Sequence, residues 1–326
     1  MKPFRYERAD DERSAVAVLA GTPGARLLGG GTNLVDLMRL GVETPDVLVD
    51  VTRLPANRVD VMPDGGLLIG AGVRNSDLAA DHHVRTRYPA LAEALLSGAS
   101  GQLRNLATTA GNLLQRTRCA YFQDVASPCN KREPGTGCPA IEGDHRNLAV
   151  LGHSSTCVAT HPSDMAVALV MFDAVVRVIG PAGVRAIPLL DFHRLPGTSP
   201  QRDTVLRRDE LIVTVQLPPS DLAAHSTYRK VRERASFSFA VVSVAAALDV
   251  RYGRVEDVRI ALGGVAHKPW RARAAEDDLR GAPADAATFD RAARVELAQA
   301  RPLRDNAYKV SLAQATLVRT LTELAE

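Results

Sequence analysis

The chain has 326 residues, of which 46% are apolar and 24% are charged, and its formal net charge is +3. This length favours two or three packed domains over a single hydrophobic core. The small net charge, with basic and acidic residues interspersed, argues against nucleic-acid binding. No apolar run approaches the roughly 20 residues that a membrane-spanning helix needs.

The N-terminal segment has no apolar centre of the kind that marks a secretory signal peptide; it reads MKPFRYERADDERSAV. The sequence therefore predicts a cytoplasmic protein. It would be periplasmic instead if it is exported already folded, together with a partner subunit that carries the signal.

A glycine-rich loop lies between two predicted elements near the N-terminus. Strands are predicted at residues 2–6, 25–28 and 47–51, with helices at 11–20 and 34–40, the first capped by Asp10 or Asp11. The sequence between residues 28 and 34 is GGGTN. A glycine loop between a strand and a helix can offer backbone N–H groups to a phosphate. It matches neither GxGxxG nor a P-loop, and a tight turn is the alternative interpretation.

The next part contains a predicted hairpin and a second run of small residues. The hairpin pairs 59–62 with 67–69, a helix capped by Asn75 or Ser76 follows, and a short helix ends at Gly98. The segment LRNLATTAGNL contains Thr108, Thr109 and Asn112. Such a segment could bring backbone and hydroxyls to a ligand, or it could be an ordinary loop under a sheet. The adjacent His82 and His83 do not face the same way on a helix, which argues against a shared metal.

All four cysteines of the chain fall in one short stretch: Cys119, Cys129, Cys138 and Cys157. Their spacing contains no CxxC, which disfavours a zinc ribbon or a thioredoxin motif. Four thiolates from a Gly- and Pro-rich loop, CNKREPGTGC, suit a [4Fe–4S] cluster. Lys131 could offset part of the charge of such a cluster. Zinc, disulfides and free thiols stay open as alternatives.

An apolar helix is predicted directly after His161-Pro162-Ser163-Asp164, with Ser163 or Asp164 as its cap. His161 is interpreted as a structural hydrogen bonder. A second hairpin is predicted at 175–179 and 184–187, a short helical turn at 189–193, and a strand at 210–217.

The segment after Pro219 is predicted to form a separate domain. Strands are expected at 227–231, 240–250 and 255–264, and helices at 273–279, 287–300 and 306–324. A three-stranded antiparallel sheet covered by helices is the unit that this order predicts.

Six motifs together resemble one family: LLGGGTNLVDLM, LRNLATTAGNL, HPSDMAVAL, DELIVTVQLP, YRKVRERASFSFAVVSVAAAL and VRIALGGVAHKPWRA. Their order is similar to that of the FAD-binding subunit of the molybdenum hydroxylases, the group of xanthine dehydrogenase and carbon monoxide dehydrogenase. The cysteine-bearing insertion resembles that of bacterial periplasmic aldehyde oxidoreductases, in which similar cysteines carry a [4Fe–4S] cluster.

The resemblance implies an α+β chain with a PCMH-type (vanillyl-alcohol-oxidase-like) FAD-binding fold. Two subdomains, residues 1–57 and 58–219, would hold FAD, with the [4Fe–4S] loop at 116–158. A C-terminal domain, 220–326, would resemble that of the carbon monoxide dehydrogenase flavoprotein.

The motifs also imply site residues. The cofactor-binding positions carried over are Arg26, Leu27, Leu28, Gly29, Gly30, Gly31, Thr32, Asn33, Leu34, Thr108, Thr109, Ala110, Gly111, Asn112, Asp164, Ile212 and Lys230. Residues 26–34 would wrap the pyrophosphate, Asp164 would hydrogen-bond the flavin, and Ile212 and Lys230 would lie near the isoalloxazine. A positive charge on Lys230 would favour a reduced, anionic flavin. The implied cluster ligands are Cys119, Cys129, Cys138 and Cys157.

The implied function is electron transfer within a heterotrimeric molybdenum-dependent aldehyde oxidoreductase. Aldehyde would be oxidised on a molybdenum cofactor in a large subunit, and [2Fe–2S] clusters of a small subunit would pass electrons to FAD and then to an external acceptor. No side chain here is expected to act as a nucleophile or base. The alternatives are a stand-alone flavin oxidase or reductase of the same fold, and a non-enzymatic iron–sulfur scaffold.

Overall fold

The computed structural model describes residues 1–326, which fold around three β-sheets. The strands are β1 (Arg5–Arg8), β2 (Ala25–Leu28), β3 (Val47–Asp50), β4 (Val59–Val61), β5 (Leu67–Gly70), β6 (Val175–Gly180), β7 (Gly183–Pro188), β8 (Leu211–Leu217), β9 (Ser226–Val231), β10 (Val242–Arg251), β11 (Arg254–Gly263) and β12 (Trp270–Arg271). The helices are α1 (Glu12–Gly21), α2 (Leu34–Arg39), α3 (Asn75–Ala80), α4 (His82–Arg87), α5 (Pro89–Ser97), α6 (Gly101–Arg104), α7 (Thr109–Leu113), α8 (Ala120–Gln123), α9 (Asp164–Met171), α10 (Leu189–Phe192), α11 (Arg273–Leu279), α12 (Ala286–Leu297) and α13 (Tyr308–Ala325). No helix combines the length and the apolar character that crossing a bilayer would require.

The first sheet is parallel, with the order β1-β3-β2. Every residue of the central strand β3 is buried, as expected for the middle strand of a small parallel sheet. Helix α1 connects β1 to β2 and begins at a capping box, in which Asp11 accepts a hydrogen bond of 2.7 Å from the backbone N–H of Ser14. The predicted cap at Asp11 is confirmed. The first strand starts at Arg5, three residues later than predicted.

The second sheet is antiparallel, with the order β4-β5-β8-β6-β7. It contains both predicted hairpins, β4–β5 and β6–β7, and β8 joins them in the middle. The N-cap of helix α3 lies one residue before the earlier of its two predicted cap positions. Asn75 is its first residue, and its N-cap Arg74 makes no side-chain capping bond, so the predicted cap at Asn75 or Ser76 is wrong.

The third sheet has four antiparallel strands in the order β12-β11-β10-β9, not the three that the sequence predicts. The extra strand β12 has only two residues, which pair with Ala261 and Leu262. Tertiary contacts hold it in place, because the Arg271 guanidinium donates to the carbonyl oxygens of Val170 and Met171 at 3.0 Å each. Helices α11, α12 and α13 cover one face of this sheet.

Helix α9 lies between the second and third sheets. All eight of its residues are buried, and it packs against α5 on one side and against β10 and β11 on the other. A helix that is apolar on every face is buried on every face. Its N-terminus is therefore fixed at the boundary between the second sheet and the C-terminal part of the chain. The exact domain boundaries at 57/58 and 219/220 stay a prediction.

Candidate functional site

The glycine-rich loop, residues 29–33, lies directly against the segment before α7. A Cβ atom on Gly30 would stand 1.8 Å from the carbonyl oxygen of Leu106, and one on Gly29 would stand 2.9 Å from Thr108 Oγ1. Gly31 has a φ of 72°, in the left-handed region that other residues rarely adopt. The fold itself thus requires glycine here, and it brings together two segments that the sequence separates by about seventy residues.

The threonine-rich segment is a turn of helix, not the loop that the sequence predicts. Thr108 caps α7 by accepting a hydrogen bond of 3.2 Å from the N–H of Gly111, and small residues tolerate the close packing of this turn. Thr109 is fully buried, and its hydroxyl donates to the Val73 carbonyl at 3.0 Å. The Thr109 hydroxyl is therefore used within the fold and is not accessible to a ligand. The parts of this segment that could contact a ligand are its backbone and the exposed Gly111.

Asparagine side chains connect both segments to their neighbours. Asn33 Oδ1 accepts a hydrogen bond of 2.9 Å from the backbone N–H of Arg116, while Asn33 Nδ2 is buried and has no partner. Asn112 Oδ1 accepts a hydrogen bond of 2.6 Å from the hydroxyl of Ser163. A buried donor without an acceptor is costly, and the Asn33 amide therefore fits a ligand oxygen beside the glycine loop.

Asp164 is not the cap of α9, because Ser163 fills that position by accepting from the N–H of Ala166 at 2.9 Å. The Asp164 carboxylate instead accepts hydrogen bonds from the Tyr228 hydroxyl at 2.5 Å and from the Lys230 ammonium at 2.8 Å. Both Asp164 and Lys230 are buried side chains. The charge of Lys230 is therefore compensated within the protein, and its predicted place beside a flavin ring stays a prediction. Burial, reinforced by the Asp164 charge, raises the pKa of Tyr228 well above its ordinary value.

The remaining predicted positions lie at the edges of this arrangement. Arg26 is half exposed, and its guanidinium lies 3.7 Å from Glu43. Ile212 is a buried residue of β8, paired with Val178. Ile212 belongs to the second sheet, whereas Lys230 belongs to the third sheet. Backbone hydrogen bonds of Ala71 link β8 to the threonine-rich segment. The Ala71 N–H donates to the Val213 carbonyl, and the Ala71 carbonyl accepts from the N–H of Ala110.

A polar cleft opens beside Asp164. Residues from four parts of the chain line it, among them Arg118, His161, Asp164, Phe239, Ser243 and Gly264. Two buried polar atoms of this lining, His161 Nε2 and Ser243 Oγ, have no hydrogen-bond partner. His161 was predicted to be a structural hydrogen bonder, but its Nε2 has no hydrogen-bond partner within the protein.

All four cysteines line a second, small cavity. All four are free thiols, with Cys119 and Cys157 buried and the other two partly buried. The cysteine loop has turns but neither helix nor strand between Cys129 and Cys138, as the sequence predicts. No group of three or more His, Cys, Asp or Glu side chains lies close enough together to hold a single metal ion. Burial raises the pKa of Cys119 and Cys138, and that of Cys157 to about 11.

Basic residues lie beside the cysteine loop, but only Lys131 among them lines its cavity. Arg118 immediately precedes Cys119, and burial lowers its pKa; its side chain lines the polar cleft beside Asp164 instead. Arg132 donates to the carbonyl oxygens of Tyr121 and Phe122 at 2.6 and 2.7 Å. Lys131 is 2% exposed. The Lys131 charge lowers the pKa of the Cys157 thiol, but burial outweighs it, so that pKa stays raised.

An ionic network joins the cysteine loop to the glycine loop. Lys131 donates to Asp203 and, at 2.8 Å, to the Pro200 carbonyl. Asp203 also accepts from Arg116 Nε at 2.9 Å, and Arg116 forms a second ion pair with Glu43 at 2.6 Å. Burial alone would raise the pKa of Asp203, but the Lys131 and Arg116 charges outweigh it and hold that pKa far below its usual range. The sequence pointed to Lys131 but not to its partners Pro200 and Asp203, which lie 69 and 72 residues away.

Three histidines lie beside this network, of which His193 and His267 are buried and His161 is partly buried. The ring centroids of His161 and His193 are 4.3 Å apart, and His267 Nε2 lies 4.0 Å from Asp203 Oδ1. One ring nitrogen of His193 contacts the Leu113 carbonyl at 2.9 Å. Burial lowers the pKa of His193 and of His267 to about 4, so both are neutral near pH 7.

Family comparisons agree with this arrangement of segments. A model described as "FAD binding domain in molybdopterin dehydrogenase" matches residues 2–220, and one described as "CO dehydrogenase flavoprotein C-terminal domain" matches residues 226–324. The chain belongs to the FAD-binding subunit family of the molybdenum hydroxylases. It is thus a flavoprotein subunit of an oxidoreductase, as the motifs predicted.

Individual members of this family differ in their similarity to the chain. It is 52% identical to the "Aldehyde oxidoreductase FAD-binding subunit PaoB" of Escherichia coli (strain K12), over 99% of this chain and 98% of the relative. It is 27% identical to the "Glyceraldehyde dehydrogenase medium chain" of Sulfolobus acidocaldarius, over 85% of this chain and 81% of the relative.

Solved structures of the family share the fold. The structure of quinoline 2-oxidoreductase from Pseudomonas putida 86 matches with a TM-score of 0.76 and 25% identity, covering 100% of this chain and 98% of the other. Carbon monoxide dehydrogenase from Oligotropha carboxidovorans matches with a TM-score of 0.77 and 21% identity, covering 99% and 98%. The predicted α+β, PCMH-type fold is confirmed.

Proposed function

We propose that this flavoprotein subunit transfers electrons within a three-subunit molybdenum-dependent aldehyde oxidoreductase, which oxidises aldehydes to carboxylic acids. The observation that carries the substrate class is the 52% identity, over nearly the whole chain, to an aldehyde oxidoreductase FAD-binding subunit. Substrate oxidation belongs to a large subunit with a molybdenum cofactor, and a small subunit with [2Fe–2S] clusters supplies electrons to this chain. An external acceptor then removes them.

The residues of the two adjoining segments fit a bound FAD. The glycine loop offers backbone N–H groups, the unpartnered Asn33 amide offers a buried donor, and Asp164 offers acceptor oxygens at the cleft. When bound, FAD exchanges electrons with one-electron and two-electron partners. The chain itself binds and orients the cofactor, and the compensated Asp164–Lys230 pair sets the charge beside it.

The cysteine cavity further supports a [4Fe–4S] cluster with Cys119, Cys129, Cys138 and Cys157 as ligands. The names of the family and of the relatives mention no such cluster, so this assignment is ours. Four free thiols line one cavity, and four cysteine thiolates are the usual ligands of such a cluster. A cluster spans more space than one ion, and its thiolate ligands are anionic. Lys131 lines the cavity and brings a positive charge, which its ion pair with Asp203 partly compensates.

Two roles are open to the cluster: it braces the cysteine loop, or it gives electrons a second exit. Cys→Ser variants separate them. A brace predicts a lower melting temperature and lower FAD retention, whereas an exit predicts unchanged stability with altered electron transfer. If replacing all four cysteines leaves stability and turnover unchanged, neither role holds.

One experiment tests the whole proposal. The complex is co-purified under anaerobic conditions, and its visible spectrum, iron and acid-labile sulfide are measured before and after addition of aldehyde. We expect bleaching of the flavin band by aldehyde only when the partner subunits are present. Bleaching in the isolated chain would support a stand-alone flavin enzyme instead. Absence of acid-labile sulfide from the isolated chain would remove the cluster assignment alone.

A further inference from the structure

The Asp164 carboxylate is held from two sides by a single strand. Strand β9 presents Tyr228 and Lys230 on the same face, because side chains two residues apart in a strand point the same way. The Tyr228 hydroxyl donates to Oδ1 at 2.5 Å and the Lys230 ammonium to Oδ2 at 2.8 Å. Each oxygen has its own donor, so the carboxylate cannot rotate without losing one of the two bonds.

The carboxylate keeps acceptor capacity for a ligand. An ionised carboxylate offers about four lone-pair sites, of which these two bonds use two. Asp164 lines the polar cleft together with Ser163 and Ser243, and it is 8% exposed. The orientation that Tyr228 and Lys230 impose therefore decides where the remaining lone pairs point.

Lys230 alone does not fix this orientation. Its ammonium also donates to the Ser97 carbonyl at 3.1 Å, so it is shared between two acceptors. Tyr228 has a rigid ring, is 6% exposed, and donates its single hydroxyl proton to Asp164. Burial and the neighbouring charge raise the pKa of Tyr228, so the phenol stays a donor across the working pH range.

We propose that Tyr228 is a positioning residue, whose hydroxyl fixes the orientation of the Asp164 carboxylate and thereby the hydrogen bond that Asp164 offers to FAD. The inference rests on the proposed function, in which Asp164 is a flavin contact. Tyr228 acts only through Asp164. It begins one of the six motifs but was not among the cofactor-binding positions that they implied.

A matched tyrosine provides the control. Tyr88 is also buried, and its hydroxyl donates to the Pro218 carbonyl at 2.7 Å, away from Asp164. Tyr228→Phe and Tyr88→Phe each remove one buried hydroxyl from the full-length chain. For both, the melting temperature, the FAD dissociation constant, the flavin absorption spectrum and the flavin midpoint potential are measured.

We expect similar losses of melting temperature in both variants. Only Tyr228→Phe should weaken FAD binding, by roughly tenfold, equivalent to about 1.4 kcal/mol, and only Tyr228→Phe should shift the flavin spectrum and potential. In an Asp164→Asn background, Tyr228→Phe should add no further change, because the two residues act as a unit.

Two results would overturn the inference while wild-type protein binds FAD. One is a Tyr228→Phe variant with the FAD affinity and spectrum of Tyr88→Phe. The other is a Tyr228→Phe effect that persists undiminished in the Asp164→Asn background. Wild-type protein that retains no flavin would instead overturn the proposed function itself, and the wild-type spectrum alone distinguishes this case.

Discussion

Replacement of Asp203 by asparagine should destabilise the protein by about 3 kcal/mol. It removes the carboxylate that pairs with Lys131, which is 2% exposed and otherwise bonded only to the Pro200 carbonyl. Removing one partner of a buried ion pair costs about 3–5 kcal/mol. The lower end applies because 29% of the Asp203 side chain is exposed and Arg116 keeps its ion pair with Glu43.

Asp46→Asn is the matched control, because it makes the same chemical change at the surface. Asp46 pairs with Lys2 at 2.6 Å, and both side chains are more than half exposed. Such a pair contributes about 0–1 kcal/mol. Thermal denaturation should therefore place Asp203→Asn roughly 6–12 °C below wild type, with Asp46→Asn close to wild type. Equal melting temperatures for the two variants would refute the reasoning.

The pH dependence of this difference has a defined sign. The folded-state pKa of Asp203 lies below its unfolded value of 3.8, so its stabilisation is fully present above that value. The stability difference between wild type and Asp203→Asn should stay constant from neutral pH down to about 4, and should then narrow. A difference that grows as the pH falls would contradict a paired carboxylate.

Three further outcomes are expected. Gly30→Ala should lower FAD content and destabilise the chain by about 1–3 kcal/mol, because the new Cβ would stand 1.8 Å from the Leu106 carbonyl oxygen. FAD content and urea denaturation measure these effects. Gly21→Ala, at a position with open space around it, should change neither. Wild type should lose up to about 3 kcal/mol of stability as the pH falls from 6.5 to 4, because His193 binds a proton in the unfolded chain but not in the folded chain, where it is buried. His193→Gln should lose correspondingly less stability over this range, as urea denaturation at several pH values would show. Under the proposed cluster assignment, a variant with serine at all four cysteines should contain no acid-labile sulfide, as chemical analysis would show. Zinc added to wild-type chain without a cluster should not restore the ordered cysteine loop, as hydrogen exchange would show.

The elements predicted from the sequence are those with strong local patterns. Strand β2, the glycine loop and α2 follow one another as expected, and α9 has an apolar surface on all sides that could only be buried. Strand β12 could not be predicted, because two residues carry no periodicity and it exists only by pairing with β11. The helical turn α7 was missed because Thr and Gly are weak helix formers, and the packing of the two loops overrides that preference.

The candidate site was predictable where a motif named its residues and not where contacts between distant segments create it. Asp164 and Lys230 were identified, but their pairing was not, since it joins helix α9 to strand β9 of the third sheet. Tyr228 had a usable sequence pattern: it stands two residues before Lys230 in a predicted strand and so shares its face. Arg116 and Asp203 had no such pattern, because nothing in the sequence relates them to Lys131.

The ionic network makes the two roles of the cysteine cavity experimentally separable. Lys131 belongs to the cysteine loop, Asp203 joins it to Arg116, and the Arg116 backbone holds Asn33 of the glycine loop. Displacement of the cysteine loop would therefore be transmitted to Asn33 of the predicted FAD site through three successive polar contacts. If the cavity braces the fold, Cys→Ser and Asp203→Asn variants should lose FAD in parallel, because both release the same connection. If the cavity only carries electrons, Cys→Ser variants should keep their FAD while Asp203→Asn loses it.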